Sequence, residues 1–309
     1  MKTAIVGAGG IGGHLAVKLG AAGNSVSVIA RGAHLAAIRE KGLALRTFDG
    51  AETVVRPAAA SDRADDLEQP DIVVVAVKSQ DLESAAAAMT PMVAAETVIW
   101  PIQNGVEATA VLAERFGTEK VLIGIARMSV HIAEPGVIQQ NTPNAAYVVG
   151  EADGSQGSDR VRALRALLSG AGVETVDSAD VRVDLWRKFA MLTAFSATTA
   201  GARCDGVTVA ATPALRRLYV DIAREVVDLA RAEGVDLPDS LPEEAADFTG
   251  RLAPGVRASM AHDLASGKPL EIDWLSGAVP RLGARHGLHA PANAAVAALL
   301  APFRDGTPT

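Results

Sequence analysis

The sequence predicts an α/β protein with a doubly wound parallel sheet in its N-terminal part and an all-α C-terminal domain. Short β-branched runs alternate with helical stretches over the first half of the 309-residue chain, which is typical of βαβ units. From about residue 178 onward the apolar periodicity is helical and β-branched runs disappear. We therefore predict two domains, residues 1–178 and 179–309.

The alternation of strand and helix can be followed along the first half. A β-branched run at residues 2–9 ends in glycines, and a helix from about 11 to 22 is closed by Gly23. The run at 71–78 is apolar on both faces, as a strand in a covered parallel sheet should be. Besides these we predict strands at 25–31, 96–105 and 120–126 and a helix at about 106–116.

The C-terminal half contains a strongly periodic helix, predicted at residues 213–234. Its apolar residues recur at three- and four-residue steps and are Leu215, Leu218, Ile222, Val226 and Leu229. Glu233 and Gly234 are expected to end it. The last residues, 303–309, are expected to fray.

Composition narrows the class of protein. Hydrophobic residues make up 49% of the chain and the net charge is −7, which favours a folded protein and argues against nucleic acid or an anionic membrane as the partner. The lone cysteine, Cys204, cannot form a disulfide within the chain, as is typical of a reducing compartment. The first residues lack signal-peptide architecture, and the apolar run 72–77 is too short to span a bilayer. We expect a cytoplasmic protein.

A glycine motif follows the first predicted strand. Gly7, Gly9 and Gly12 form G-x-G-x-x-G directly before the first helix. In this position the glycines permit a tight turn, close approach to a pyrophosphate and close packing of helix on strand, which is the Rossmann-type arrangement. We count Gly10 and Ile11, in the same loop, among the cofactor-binding residues. The alternative is a glycine-rich turn that binds no ligand.

The end of the second strand predicts which dinucleotide is bound. An NAD site usually has Asp or Glu there, to bind the ribose 2′-hydroxyl. This chain has Arg31 instead. A guanidinium suits a 2′-phosphate, which a carboxylate would repel. The sequence therefore predicts NADP(H), with an ordinary exposed loop arginine as the alternative.

Polar residues also follow two later strands. Lys78 ends one predicted strand, and Asn104 follows the next. Ligands of doubly wound sheets bind outside the carboxyl ends of the strands, so both residues are predicted to lie near the cofactor, and Asn104 also near the substrate. The alternatives are a lysine leaving the core and an Asn-Gly turn.

Lys188 stands inside an otherwise apolar helical stretch, residues 184–200. Its stem could pack while its head reaches water. The ammonium could instead support a negative charge that develops on a carbonyl oxygen during reduction. On a helix, the face of Lys188 would also carry Leu192, Ser196 and Thr199. The helix alone favours the first interpretation.

The ordered set of motifs reverses that preference, because the chain resembles the ketopantoate (2-dehydropantoate) reductase family over nearly its whole length. The resemblance is carried by the glycine loop, "VIARGAH", "VAVKSQDL", "IQNGV", "LWRKF" and "GKPLEIDWLSG". It implies an N-terminal Rossmann domain joined to an all-helical domain. It also implies reduction of 2-dehydropantoate to pantoate with NADPH, on the route to pantothenate and coenzyme A.

The resemblance also implies roles for individual residues. Lys188 matches the family's catalytic lysine, and Glu271 the glutamate that positions the substrate. Ser259 matches a serine that contacts the substrate carboxylate. The NADPH-binding positions would be Gly7, Gly9, Gly12 and Arg31, with Lys78 and Asn104 near cofactor and substrate.

Part of the substrate-binding shell departs from the family pattern. Leu192 and Ser196 stand where pantoate-forming members usually have asparagines, and Ser276 stands where an asparagine is common. We retain Ser196 among the substrate-binding residues. Because a site that has lost polar donors changes its specificity or loses activity, the alternative substrate is another 2-ketoacid or ketone.

Two further expectations concern function class and assembly. A non-catalytic NADP(H)-binding sensor is the alternative outside the enzymes, and Lys188 with Glu271 argues against it. No metal site is expected, because His286 and His289 lack a neighbouring cluster of further ligands. A homodimer is expected only by analogy with relatives.

Overall fold

A computed structural model describes residues 1–307 of the chain. The chain forms two compact units. The first contains residues 1–103 and 107–182, and the second contains residues 104–106 and the chain from residue 183 onward. The chain leaves the first unit after residue 182, close to the boundary expected near residue 178. The short segment 104–106 belongs to the second unit, which its sequence does not indicate.

Every strand described in residues 1–307 lies in the first unit. The strands are β1 (Lys2–Val6), β2 (Ser25–Ile29), β3 (Leu43–Arg46), β4 (Glu52–Val55), β5 (Ala59–Ser61), β6 (Ile72–Val75), β7 (Val98–Pro101), β8 (Leu122–Arg127), β9 (Val130–Glu134), β10 (Val137–Gln140), β11 (Ala146–Glu151) and β12 (Glu174–Thr175). The helices of this unit are α1 (Gly10–Ala21), α2 (Gly32–Lys41), α3 (Leu82–Met89), α4 (Ala108–Phe116) and α5 (Asp159–Gly170).

The central sheet has the strand order β5-β2-β1-β6-β7, and every neighbouring pair in it is parallel. The register pairs Val6 with both Ile29 and Val75, so β1, β2 and β6 end at the same edge of the sheet. All residues of β6 are buried, which agrees with the apolar character of both its faces. The predicted doubly wound parallel sheet is confirmed.

Two smaller sheets were not predicted. The strand expected at residues 120–126 exists as β8, but it pairs antiparallel with β11 in a sheet of order β12-β11-β8. A single parallel bridge, between Ile99 and Val121, connects this region with the central sheet. The pairing could not be deduced because an apolar β-branched run suits either neighbour equally well.

The other small sheet, of order β4-β3-β10-β9, supports helix α1. A Cβ added to Gly13 would lie only 2.7 Å from Ile138 Cγ1 on β10. One added to Gly20 would lie 3.3 Å from Val55 Cγ2 on β4. The small residues on this side of α1 therefore let the helix approach the sheet closely.

The second unit is helical. Its helices are α6 (Val181–Gly201, beginning at the end of the first unit), α7 (Gly206–Ala211), α8 (Pro213–Ala232), α9 (Leu241–Thr249), α10 (Ser259–Ala265), α11 (Ala278–Gly283) and α12 (Pro291–Leu300). Between residues 183 and 307 the structure describes no strand, so the predicted all-α C-terminal region is confirmed. Among the helices described, none combines the length and apolar character that a membrane crossing requires.

The periodic helix predicted at 213–234 is α8. It ends at Ala232 because Gly234 adopts a φ of +79°, outside the helical region. Its buried residues include Ile222, Val226 and Leu229 from the predicted apolar stripe. The stripe therefore faces the core of the second unit, as amphipathic spacing requires.

The described part of the C-terminal tail is bound rather than frayed. The Leu270 N–H donates to the Arg304 carbonyl at 2.9 Å, and the Thr307 N–H donates to the Gly267 carbonyl at 3.3 Å. These bonds attach residues 304–307 to the segment 267–270. The last two residues of the predicted frayed segment lie outside the described residues.

One buried histidine of the first unit predicts how stability depends on pH. His14 on α1 is 1% exposed, and its Nδ1 lies 3.2 Å from the Tyr147 hydroxyl oxygen. Burial, with a smaller effect of Lys18, lowers the pKa of His14 from 6.5 to about 4. The unfolded chain therefore takes up this proton first as the pH falls. We expect the free energy of unfolding to decrease by roughly 3 kcal/mol from this group between about pH 6.5 and pH 4.

Urea unfolding of the wild type and His14→Asn, over the same pH range, measures this contribution. The asparagine can still bond Tyr147 but does not titrate, so the stability difference between the two proteins should shrink as the pH falls. Parallel stability curves would show that His14 does not cause the acid sensitivity.

Candidate active site

The glycine loop joins β1 to α1 at the edge where β1, β2 and β6 end. Gly7 adopts a φ of +97°, and its N–H donates to the Ile29 carbonyl at 3.0 Å. A Cβ on Gly7 would lie 2.8 Å from the Val77 backbone nitrogen, and one on Gly12 would lie 2.1 Å from the Gly7 carbonyl oxygen. Both positions therefore require glycine for the packing of loop, helix and neighbouring strand.

Gly9 is different, because a Cβ at this position would meet no described atom within 4 Å outside its chain neighbours. Gly9 is the N-cap of α1, where no side chain caps the helix and no acidic residue occupies the first turn. The first amides of α1 are thus beside open space with a favourable dipole for an anion. This geometry fits the pyrophosphate of a dinucleotide.

Gly10 and Ile11 both pack against other parts of the first unit. A Cβ on Gly10 would lie 2.8 Å from the Val130 carbonyl oxygen on β9. Ile11 is half-buried and packs against the core of the first unit. Their backbone N–H groups belong to the first turn of α1, so they remain candidates for phosphate contact through the main chain.

Arg31 and Lys78 follow the two strands that flank β1. Arg31 is the exposed N-cap of α2, whose first turn carries no acidic residue. Lys78 is exposed and directly follows Val77, the residue packed against Gly7. Because these strand ends share one edge, both cations belong to the surroundings of the glycine loop. A phosphate group suits this environment better than a ribose hydroxyl alone.

The second unit brings together three residues that lie far apart in sequence. Lys188 Nζ donates to Asn104 Oδ1 at 3.2 Å. Asn104 Nδ2 in turn donates to Glu271 Oε2 at 3.4 Å. The amide thus bridges an ammonium group and a carboxylate, with its oxygen towards the cation and its nitrogen towards the anion. We call these residues the Lys-Asn-Glu cluster.

The fold of the second unit explains why Asn104 reaches this cluster. Gly105, next to it, adopts a φ of +90°, and a Cβ there would lie 3.1 Å from the Trp274 carbonyl oxygen. Val106 packs against the core of the second unit. The Asn-Gly dipeptide is therefore a bend that presents the asparagine towards Lys188 and Glu271. This backbone geometry agrees with a change of chain direction at Asn104-Gly105, and the role of Asn104 in a site stays a prediction.

Both charged members of the cluster are partly or largely withdrawn from solvent. Lys188 on α6 is half-buried, and Trp186 and Phe189, which are near it in sequence, are buried. Glu271 is 9% exposed and lies between buried Leu270 and Ile272. Opposite charges in such surroundings stabilise one another more strongly than they do in water. The cluster can therefore hold an ammonium group as a hydrogen-bond donor.

The other predicted substrate-binding residues, Ser196 and Ser259, make no described hydrogen bond to the Lys-Asn-Glu cluster. Ser196 is fully buried, and its Oγ has no hydrogen-bond partner among the described residues. Ser259 is exposed at the start of α10, outside the hydrogen bonds of the Lys-Asn-Glu cluster. The preceding Ala258 N–H donates to Thr199 Oγ1 at 3.4 Å, which anchors this helix start on α6. Leu192, one turn after Lys188, is half-buried.

The contact of Asn104 with Glu271 was not anticipated. Asn104 follows a predicted strand, Glu271 belongs to a late motif, and 167 positions separate them. Neither motif carries a signal for the other, because such a contact depends on how two irregular segments are placed by the fold. Only an ordered resemblance over the whole chain suggested that they share a site.

Comparison with known proteins gives consistent matches over both units. The family model described as ketopantoate reductase PanE/ApbA matches residues 3–154, and its C-terminal counterpart matches residues 180–304. A 2-dehydropantoate 2-reductase of Halobacterium salinarum is 31% identical over 292 residues, covering 94% of this chain and 95% of the relative.

Solved structures match as well. A PanE/ApbA family ketopantoate reductase from Ralstonia eutropha superposes with a TM-score of 0.89 at 31% identity, covering 98% of each chain. D-mandelate dehydrogenase, in a complex with NADH and anilino(oxo)acetate, has a TM-score of 0.87 at 20% identity and covers 98% of each chain. At that identity the second likeness shows a shared fold.

Proposed function

Because the chain belongs to the ketopantoate reductase family, we propose that it reduces 2-dehydropantoate to pantoate with NADPH. Membership makes it an oxidoreductase of the ketopantoate reductase type and implies a nicotinamide cofactor. The choice of NADPH, the substrate and a place in pantothenate and coenzyme A synthesis belong to the proposal. The observation that carries it is the Lys-Asn-Glu cluster.

The glycine loop is proposed to hold the cofactor. Gly9 leaves room for the pyrophosphate above the first turn of α1, while Gly7 and Gly12 keep the loop and helix close together. Arg31 and Lys78 would supply positive charge at the neighbouring strand ends. Bound NADPH supplies a hydride to the carbonyl carbon of the substrate.

Lys188 is proposed to act on the carbonyl oxygen. As negative charge develops there, the ammonium group donates a hydrogen bond and then a proton, which completes the hydroxyl group. The lysine recovers its proton from water. Asn104 accepts a hydrogen bond from Nζ, so the ammonium group is held in one place before the substrate binds.

Glu271 is proposed to position the substrate. Its carboxylate is acceptor-only when ionised, so it suits a hydroxyl group such as that of 2-dehydropantoate. Its bond from Asn104 couples its position to that of Lys188. Ser259 and, after side-chain movement, Ser196 remain proposed substrate contacts.

A second substrate is favoured by Leu192. On the helix it lies one turn from Lys188, and it is half-buried. A leucine there offers apolar contact and no hydrogen bond, which suits a 2-ketoacid whose side chain lacks a hydroxyl group. This alternative keeps the same chemistry at Lys188.

The test is oxidation of NADPH by the purified protein with 2-dehydropantoate or with trimethylpyruvate. Trimethylpyruvate has the same carbon skeleton but lacks the hydroxyl group, so it isolates the contribution of polar substrate contacts. A higher kcat/KM for 2-dehydropantoate supports the proposal, and a higher value for trimethylpyruvate supports the alternative. Tight NADPH binding without turnover of any 2-ketoacid would instead indicate a non-catalytic sensor.

Arg31 should determine the choice between NADPH and NADH. Arg31→Ala is expected to raise the KM for NADPH by about tenfold or more, because a charge-assisted contact with the 2′-phosphate is lost. The KM for NADH should change little. Steady-state kinetics with both cofactors measure this, and Arg39→Ala on the same helix is the control. If the preference for NADPH over NADH is unchanged in Arg31→Ala, Arg31 does not determine which cofactor is used.

The cellular location, the oligomeric state and the substrate of the protein are predictions. The cytoplasmic location and the homodimer rest on composition and analogy, and the small 2-ketoacid partner rests on the proposed reaction. Size-exclusion chromatography with light scattering would measure the oligomeric state directly.

A further inference from the structure

His34 connects the glycine loop to a part of the chain that no cofactor motif includes. Its Nε2 lies 2.8 Å from the carbonyl oxygen of Ala8, which stands between Gly7 and Gly9. Its Nδ1 accepts a hydrogen bond from the Gly136 N–H at 3.0 Å. One imidazole ring therefore spans from the loop to the turn between β9 and β10.

These two bonds define the tautomer of His34. A carbonyl oxygen can only accept, so Nε2 carries the proton, and Nδ1 must be unprotonated to accept from Gly136. Burial lowers the pKa of His34, although the bond to Ala8 opposes the shift. The ring is thus kept neutral, which is the form that makes both bonds.

The bond to Ala8 controls the orientation of the next amide. The peptide between Ala8 and Gly9 is planar and trans, so its N–H points opposite to its carbonyl. With the carbonyl held by His34, the Gly9 N–H must face away from the ring. The Ala8 N–H is held as well, since it donates to the Ile29 carbonyl at 3.2 Å. Both the N–H and the carbonyl group of Ala8 are therefore held by hydrogen bonds.

The far end of this connection is itself rigid. Gly136 adopts a φ of +83° in its turn, and its carbonyl accepts from the Ala44 N–H at 2.9 Å. The same hairpin lies against α1, because a Cβ on Gly10 would meet Val130 and one on Gly13 would meet Ile138. The hairpin thus supports the start of α1, and His34 attaches the loop to it.

We propose that His34 is a positioning residue that orients the Ala8–Gly9 peptide for binding the pyrophosphate of the nucleotide. This inference rests on the proposed function, because it assumes that the glycine loop binds a dinucleotide. It assigns to the β9–β10 hairpin the task of holding that loop in its binding conformation. His34 does not need to touch the cofactor, since it acts through the backbone of the loop.

The test compares variants that keep different bonds. His34→Leu removes both, His34→Gln can restore both through its amide, and His34→Asn can keep the Gly136 bond but is too short to reach Ala8. His131→Leu is the matched control, because His131 is exposed on β9 of the same hairpin. The measurements are the Kd for NADPH by isothermal titration, Tm, and kcat at saturating NADPH.

His34→Leu and His34→Asn are expected to raise the Kd for NADPH by about 5- to 10-fold. His34→Gln should stay near the wild-type Kd, kcat at saturating NADPH should change little, and the control should behave as the wild type. A purely structural role would lower Tm without this pattern in Kd.

Two results would overturn the inference in different ways. If the wild type binds NADPH and His34→Asn binds it equally well, His34 does not orient the loop, while the proposed function stands. If the wild type does not bind NADPH at all, the proposed function fails and the inference fails with it. Should His34→Leu not fold, His34→Asn and His34→Gln still decide between these outcomes.

Discussion

Lys188→Met is expected to lower kcat by about 10²- to 10⁴-fold, which is the usual contribution of a positioned proton donor. Methionine keeps an unbranched stem, so it can still fill the half-buried position of Lys188. It cannot donate a hydrogen bond or a proton to the carbonyl oxygen. The Kd for NADPH should stay unchanged, because the proposed role of Lys188 is on the substrate. Steady-state and binding measurements on the purified variant check both statements.

Arg187→Met is the matched control for this prediction. Arg187 is the exposed neighbour of Lys188 on the same helix, so the variant loses an equal charge without touching the Lys-Asn-Glu cluster. Its kcat should stay close to that of the wild type. If both variants keep full activity, Lys188 is a packing residue whose head group reaches solvent, and another group protonates the product.

Gly9→Ala is expected to weaken NADPH binding, whereas Gly12→Ala is expected to lower the stability of the fold. At Gly9 the added methyl group meets open space, so the folded protein should keep its thermal stability. The same methyl group would occupy the place proposed for the pyrophosphate, so the Kd for NADPH should rise by about tenfold or more. At Gly12 the methyl group would lie 2.1 Å from the Gly7 carbonyl oxygen. That overlap should destabilise the protein by about 1–3 kcal/mol.

Thermal unfolding and NADPH titration of the two variants separate these effects. The informative result is opposite behaviour, with Gly9→Ala stable but weakly binding and Gly12→Ala destabilised even without cofactor. Wild-type affinity in Gly9→Ala would show that the space above the first turn of α1 does not hold the pyrophosphate. The glycines would then form a tight turn that binds no ligand.

The parallel sheet was predictable because its signals are local. The run at residues 71–78 is apolar on both faces, and its central residues form the buried strand β6. The G-x-G-x-x-G motif directly follows a β-branched run, so its place between β1 and α1 could be expected. The helix α8 was predictable for the same reason, since an apolar stripe with a terminal glycine marks both its face and its end.

The small sheets were not predictable from such signals. Residues 120–126 read as a strand, but nothing in their sequence states that β8 would pair antiparallel with β11. The sheet that supports α1 joins β3 and β4 to the distant strands β9 and β10. Pairing between strands that far apart depends on which surfaces remain to be buried after local structure forms.

The sequence by itself determined the fold class, the glycine loop and the chemical character of the candidate residues. These properties depend on neighbours in the chain, such as a β-branched run followed by glycines or a lysine within an apolar helix. Tertiary structure alone decided that Asn104 belongs to the second unit and bridges Lys188 and Glu271. It also decided that His34 holds the carbonyl of Ala8. Such contacts arise from packing between distant segments, and their geometry exists only once the chain has folded.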